Sequence, residues 1–296
     1  MAGGPERPGI GLIADTGNYA YLCAQMVVIN DIRQQQAILL DILKHLDSFC
    51  RENGITYALA GGSMLGAVRH KGFIPWDDDA DIIMPRPDFD RFQKIYRNEG
   101  RYRLLSSIPD NGRCFKNCYY KFEDSYTLCE DVGYIGRPFG MNVDIFPLDG
   151  APDSAEEQRS MAKKITHYKH RISLRPKPLW SIFKPHQGAP LALIQAHLFS
   201  LDHWLNKCDR VLRSHDFETS NYSGALCGLY GTREIFPTRI FKELTEYEFE
   251  DTRLMGVKDY DTYLKGLYGN YMQLPPEKDR HGEHHLKVTL TMPEQL

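Results

Sequence analysis

No stretch of this chain is long and apolar enough to cross a bilayer as a helix. The best candidate near its start, Ala20 to Ile29, is short, contains Gln25, and lacks both a basic flank and a clear cleavage site. A large excess of either charge is also missing. The net charge is −3, so the balance over the whole chain gives no sign of a nucleic-acid coat or of a basic face for membranes. Cysteine is sparse. Seven scattered residues, an odd number, argue against a disulfide scaffold and for a reducing compartment. A cytoplasmic location is therefore expected, with contact at the inner face of the membrane at most peripheral. Internal repeats are absent. What is present is ordinary for a globular chain: 42% apolar and 25% charged residues over 296 positions. That length allows ample core in one large domain or two small ones.

The informative stretch is Gly61-Gly62-Ser63 followed by Phe73-Ile74-Pro75-Trp76-Asp77-Asp78-Asp79-Ala80-Asp81-Ile82-Ile83-Met84. Four carboxylates fall within five positions. Two of them about 4 Å apart repel by roughly 4 kcal/mol at an effective dielectric near 20. Either the acids splay into solvent or a cation sits among them. Ala80 to Met84 reads as a short buried strand stopped by Pro85 and Pro87. Alternate side chains of a strand share a face, which puts Asp79 and Asp81 together with Cα atoms about 6.6 Å apart. Two oxygen ligands at that spacing suit Mg²⁺, or Mn²⁺, with room left for waters and substrate phosphates. A calcium loop fails on this sequence, because the positions that need Gly and Glu hold Ile82 and Asp88. A solvated acidic turn and the acid-x-acid motif of sugar-nucleotide glycosyltransferases are the other readings. The upstream glycines argue against the latter. They let backbone N–H groups approach a phosphate, and a helix starting at Ser63 aims its positive end there.

Residues 1 to about 30 read as an extension, Gly- and Pro-rich at first. Asp31 to Asn53 is an amphipathic helix stopped by Gly54. Ile55 to Leu59 is a strand, Met64 to His70 a short helix, and Asp88 to Asn98 another helix. Strands are expected at Tyr102–Ser107, Cys118–Glu123 and Asn142–Phe146. Ala155 to Ile172 and Leu191 to Ser214 read as helices, Gly224 to Tyr230 as a strand and Phe241 to Met255 as a strand or hairpin. Tyr260 to Leu267 reads as a helix, and the tail from Gln273 as a surface loop. This order predicts an α/β or α+β sheet flanked by helices. Residues 31–150 form the core, and 151–296 form a mainly helical part that completes the same unit.

Gly61-Gly62-Ser63-x-Leu65-Gly66-Ala67-x-Arg69-His70-x-Gly72-Phe73-Ile74-Pro75-Trp76-Asp77-Asp78-Asp79-x-Asp81 resembles the signature of the LicD family, which includes bacterial phosphocholine transferases and the animal fukutin-related proteins. Asp144-Ile145-Phe146-Pro147-Leu148-Asp149 and the block from Tyr263 to Pro276 look like further family segments in the right order. The likeness runs from about Asp31 to Pro276. It implies a nucleotidyltransferase-like mixed sheet in which Gly62 and Ser63 form a Gly-Ser turn, Asp79 and Asp81 the metal pair, and Asp144 a third acid. The gap from Ser63 to Asp79 exceeds the minimal superfamily pattern, which disfavours simple nucleotidyl transfer.

The reaction so implied is metal-dependent transfer of a phospho-alcohol, most simply phosphocholine, from a CDP-alcohol such as CDP-choline. The acceptor is a hydroxyl of a cell-surface glycan, lipopolysaccharide or teichoic-type polymer, and CMP leaves. Asp144 is a third metal ligand or the base for the acceptor; an acid capping a turn is the plainer reading. Gly61, Gly62 and Ser63 contact phosphate, and Asp77 orients the site. Arg69, His70 and Lys71 either offset phosphate charge or simply end a helix in solvent. Lys121, in an apolar strand, is a weaker phosphate candidate. Trp76 reads as a wedge between the acid turn and the core. A trimethylammonium would need an aromatic surface that the sequence does not locate. Cys114, Cys118 and Cys129 read as ordinary thiols, and His281, His284 and His285 as exposed. Transfer of a nucleoside monophosphate from a triphosphate, and a non-catalytic nucleotide- or glycan-binding module, are the alternatives.

Overall fold

The computed structural model describes residues 27–108, 115–130, 139–179, 190–282 and 287–291. Cys114, His284 and His285 lie outside them.

Helix α1 (Ile32–Asn53) begins where the Asp31 carboxylate accepts from the N–H groups of Arg33 and Gln34. It ends at Gly54, whose φ of 60° is the left-handed cap that glycine adopts freely. Its inner stripe of Leu39, Ile42, Leu43, Leu46 and Cys50 is buried in the main core. Buried Gln36 on the same helix donates to the carbonyls of Ile74 (3.0 Å) and Asp77 (2.8 Å). That clasp fixes the turn that carries the acids.

The central sheet contains β2 (Ala58–Leu59), β3 (Asp81–Pro85), β4 (Tyr102–Leu105), β5 (Tyr120–Asp124) and β7 (Asn142–Ala151), in the order β2-β3-β7-β5-β4. β3 and β7 are parallel and the other pairs antiparallel. Ile82, Ile83 and Met84 of β3 are all buried, as expected of a strand covered on both faces. The far end of β7 pairs with β8 (Tyr222–Gly224), which pairs with β9 (Ile235–Pro237). Helix α2 (Gly61–His70) follows β2, and α3 (Arg86–Ile95) follows β3. A second core gathers α4 (Ala155–Leu174) against α6 (Leu201–Leu212), with α5 (Pro190–His197) beside α4. A short helix α7 (Arg239–Lys242) leads to the hairpin β10 (Leu244–Phe249) and β11 (Thr252–Val257), then to α8 (Tyr260–Tyr268).

The mixed α/β class is as expected, but several elements differ. Ile55 to Leu59 pairs only at its last two residues, and β3 starts at Asp81, not Ala80. The helix after β3 starts at Arg86, because Pro87 suits a first turn as well as it suits a strand stop. Leu191 to Ser214 is two helices, split where the Ser200 hydroxyl caps α6 by accepting from His203 N–H. The expected strand at Gly224 to Tyr230 lies instead at Tyr222–Gly224, with a turn after it. The end of the supposed extension and part of the supposed loop tail are strands. β1 (Val27–Ile29) pairs with β12 (Lys287–Leu290), which pairs with β6 (Thr127–Glu130). Each of these pairings joins residues far apart in sequence, so local pattern carries no trace of it.

Candidate active site

The N-terminus of α2 opens on a cleft of about 420 Å³. Its floor is Ala60, Gly61 and Gly62, together with Asp77, Asp79 and Asp81. The helix starts at Gly61, two residues earlier than expected. Gly61 has a φ of +48°, and its N–H donates to the Tyr263 hydroxyl at 3.1 Å. A Cβ on Gly62 would lie 2.9 Å from an Asp77 carboxylate oxygen, so glycine lets that acid close on the helix start. Asp79 sits in the loop before β3 and not on the strand, yet it still faces the cleft with Asp81. Asp78 is buried behind them, against Gly282.

Ser63 is nearly buried, and its Oγ accepts from Asp81 N–H at 2.9 Å. The hydroxyl thereby ties α2 to the first residue of β3. Asp81 pairs in register with Asp144 on β7, and Asp144 with Lys121 on β5. The three side chains therefore form one row across three strands. Asp144 is engaged by Lys121, whose Nζ donates to it at 2.6 Å and to Asn142 at 2.9 Å. The Lys121 ammonium also lies 4.9 Å from the Phe139 ring centre and 5.4 Å from that of Phe115. Burial, then the charges of Asp79, Asp144 and Asp77, push the Asp81 carboxyl well above the ordinary range, against the pull of Lys121. Among the described residues no three His, Cys, Asp or Glu side chains form a cluster that could hold a metal ion on their own.

The basic candidates divide. Arg69 lines the cleft and donates to the Tyr271 carbonyl at 2.8 Å. His70 accepts from Arg69 Nε at 2.9 Å. Lys71 does not reach the cleft. It caps the far end of α2, a ten-residue helix about 15 Å long, and pairs at 2.8 Å with Glu248 on the outer surface. Trp76 packs on the core and also lines the cleft, with Arg280 lying 5.6 Å over its ring. His281 is exposed on the cleft rim. Of the cysteines, Cys129 is buried in the main core, while Cys118 adjoins Cys208 and Cys227 in the second.

The sequence reading missed a further group of cleft-lining residues, which adjoins the start of α2. Tyr230, Tyr263, Tyr268 and Glu234 all line the cleft, and the Tyr230 and Tyr268 rings meet edge to face with centres 5.7 Å apart. Glu234 is 9% exposed and accepts from Tyr230 N–H at 3.2 Å. Burial raises its carboxyl to about 7, partly offset by that N–H and by the charges of Lys169 and Arg233. Gly228 makes the position tenable, since a Cβ there would sit 2.3 Å from the carboxylate. The tyrosines were visible as a cluster in the Tyr263–Tyr271 block. An isolated glutamate gave no signal.

The mixed sheet thus sets an acid row beside a glycine-opened helix start, an arrangement suited to binding a charged group. The family model described as the LicD/FKTN/FKRP nucleotidyltransferase domain matches residues 54–179. The lipopolysaccharide cholinephosphotransferase LicD of Haemophilus influenzae is 31% identical over 261 residues, spanning 86% of this chain and 96% of that protein. The chain belongs to the LicD family, and it is a transferase. Shorter likenesses, 40% identical over 65 and 57 residues, link it to uncharacterised proteins of Rickettsia typhi and Rickettsia prowazekii, covering about a fifth of each chain.

Proposed function

We propose that this chain transfers phosphocholine from CDP-choline to a hydroxyl of a lipopolysaccharide or teichoic-type glycan, releasing CMP. The observation that carries the reading is a single cleft lined by carboxylates, a helix N-terminus, aromatic rings and a buried carboxylate. The helix start suits a diphosphate, and the rings with Glu234 suit a trimethylammonium.

The acids fit a hard divalent cation. All candidate donors are carboxylate oxygens, and burial, then mutual repulsion, leaves Asp81 reluctant to ionise unless positive charge arrives. Asp79 and Asp81, which line the cleft, would hold Mg²⁺ or Mn²⁺ together with substrate oxygens and water; Asp144, outside the cleft lining and paired with Lys121, would add a donor only on turning from that lysine. Once bound, the ion would neutralise charge on the diphosphate and on the departing CMP. Lys121 donates to Asp144 at 2.6 Å, which occupies that carboxylate and leaves it poorly placed to act as a base. The start of α2 at Gly62 and the guanidinium of Arg69 face the phosphates, while the Gly61 N–H is taken by the Tyr263 hydroxyl. Tyr230, Tyr268 and Glu234 receive the choline cation. The acceptor O–H attacks the distal phosphorus, the P–O bond to CMP breaks, and the proton passes to the acid cluster. Positioning and electrostatics dominate such transfers.

The test is a panel of CDP-alcohols with a glycan acceptor, with and without Mg²⁺, scored for CMP. CDP-choline with Mg²⁺ is expected to give CMP and a phosphocholine-bearing glycan. No CMP from any CDP-alcohol, or pyrophosphate release from CTP or ATP instead, overturns the reading.

A further inference from the structure

The whole-chain charge of −3 conceals a strong local asymmetry. From Gln158 to Leu201 the sequence holds eight Lys and Arg and not one Asp or Glu. It covers α5 and all of α4 but its first turn, where Glu156 and Glu157 are exposed, and among its described residues it carries a cluster of exposed apolar side chains. Leu191, Ile194 and Leu198 recur at helical spacing on and just beyond α5 and are 65%, 42% and 68% exposed. Leu179 and Phe199 are exposed as well. The opposite side of α5, with Ala192, Leu193 and Ala196, is buried against Leu174. The exposed side is therefore not a packing failure: the helix is anchored by one face and presents an apolar second face.

Basic groups frame that face. Arg175 donates to the Phe199 carbonyl at 3.0 Å, which ties the end of α4 to the residue after Leu198, while the Phe199 ring stacks on His203. Lys177 follows at the end of α4, and Arg159, Lys163 and Lys164 are exposed along the same helix. An apolar strip with cations beside it, whose nearest acid in sequence, Asp202, is already paired with Lys116 at 2.8 Å, has the composition of an interfacial membrane-binding element. A soluble protein partner would need matching acids and a fitted surface. An anionic bilayer offers both the negative charge and the apolar interior without either.

We infer that the α4–α5 face docks this chain on an anionic membrane surface, with Leu191, Ile194 and Leu198 entering the headgroup region. The placement suits the cleft. Lys169 on α4 donates to the carbonyls of Cys227 and Gly228, on the cleft wall that holds Tyr230. Arg175 lies about 9 Å further along the same helix. A docked α4–α5 unit thus holds the cleft next to the lipid surface, where a lipid-anchored acceptor would be met.

The experiment is flotation of the full chain with phosphatidylglycerol–phosphatidylcholine vesicles and with phosphatidylcholine vesicles alone. Phosphatidylcholine in both arms controls for headgroup capture by the cleft. The expected result is co-flotation with the anionic vesicles only, weakened by salt. It should fall about tenfold or more in the Leu191→Ser/Ile194→Ser/Leu198→Ser variant. Circular dichroism and CMP release with a soluble acceptor should stay unchanged. The Lys163→Glu/Lys164→Glu variant should lose binding while keeping the apolar strip. Equal flotation of wild type and the triple serine variant overturns the inference. So does binding to neither vesicle, or a dimer in sedimentation velocity that the serine variant abolishes. The flotation and sedimentation readouts that decide the inference do not depend on phosphocholine transfer, so this surface and the proposed reaction fail separately.

Discussion

Glu234 is a carboxylate kept from water by Tyr230, Gly228 and the cleft wall, so its ionisation is linked to folding and to cleft occupancy. Its group rises from 4.5 to about 7 on folding. The folded state therefore holds the proton more tightly than the unfolded one. Stability is undiminished below the unfolded value and falls as pH climbs through the window from 4.5 to about 7, by on the order of 3 kcal/mol. Glu234→Gln should raise the melting temperature at about pH 8 and leave it unchanged at about pH 4; thermal scans at both values check this. Tyr230→Leu removes a π face but no charge. It should reduce kcat/KM for CDP-choline about tenfold more than for CDP-ethanolamine, as a lost cation–π contact to a quaternary nitrogen requires. Asp81→Asn should lower CMP release by roughly a thousandfold, the scale of one lost charge-stabilising group. In metal-free buffer the same change should raise the melting temperature, because it removes a buried acid repelled by Asp79, Asp144 and Asp77. A melting temperature that falls instead would mean that this acid is already compensated.

At the scale of elements, two contacts fix the geometry. The turn after α2 comes so close that a Cβ on Gly66 would meet the Gly72 carbonyl oxygen at 2.4 Å. Both atoms belong to backbone, so neither can rotate away. Gly66→Ala should cost about 1–3 kcal/mol and weaken substrate binding by shifting the acid turn; denaturant titration together with KM checks both. The second contact is Arg86 at the start of α3, paired bidentately with Asp149 near the end of β7 at 2.7 and 2.6 Å. Burial pushes the Asp149 carboxyl up against the pull of Arg86, so the fork must stay intact for the acid to remain charged. Arg86→Met should destabilise by about 3–5 kcal/mol, the result of leaving a charge buried without its partner. Elements with a strong local pattern were legible in the sequence. The α1 stripe with its Asp31 and Gly54 caps was read to within a residue, and β3 was read as a buried apolar run. The row Asp81–Asp144–Lys121 was half legible. The residues stood out as types, but their register comes from pairings across three strands that no local pattern encodes. Glu234 and the β1–β12–β6 sheet were not legible, because nothing near them in sequence points to their neighbours.

For the whole molecule, the long-range pairings tie the ends of the described chain together. Val288 of β12 is fully buried between β1 and β6. Removing residues 287–296 strips that side chain and two ladders, and should lower the melting temperature by several degrees. The Tyr263 hydroxyl reaches 202 positions back to the N–H of Gly61, so the start of α2 is held by a residue of the C-terminal half. The region matched by the family model stops at residue 179, before Tyr230, Glu234, Tyr263 and Tyr268. A shortened protein cut at that boundary would keep Asp77, Asp79, Asp81 and Asp144 yet lose the part of the cleft proposed to tell one alcohol from another. Alcohol preference among relatives should therefore drift with the C-terminal half while the acid motif stays still. Swapping that half between two relatives is then a way to exchange their substrates without touching a catalytic carboxylate.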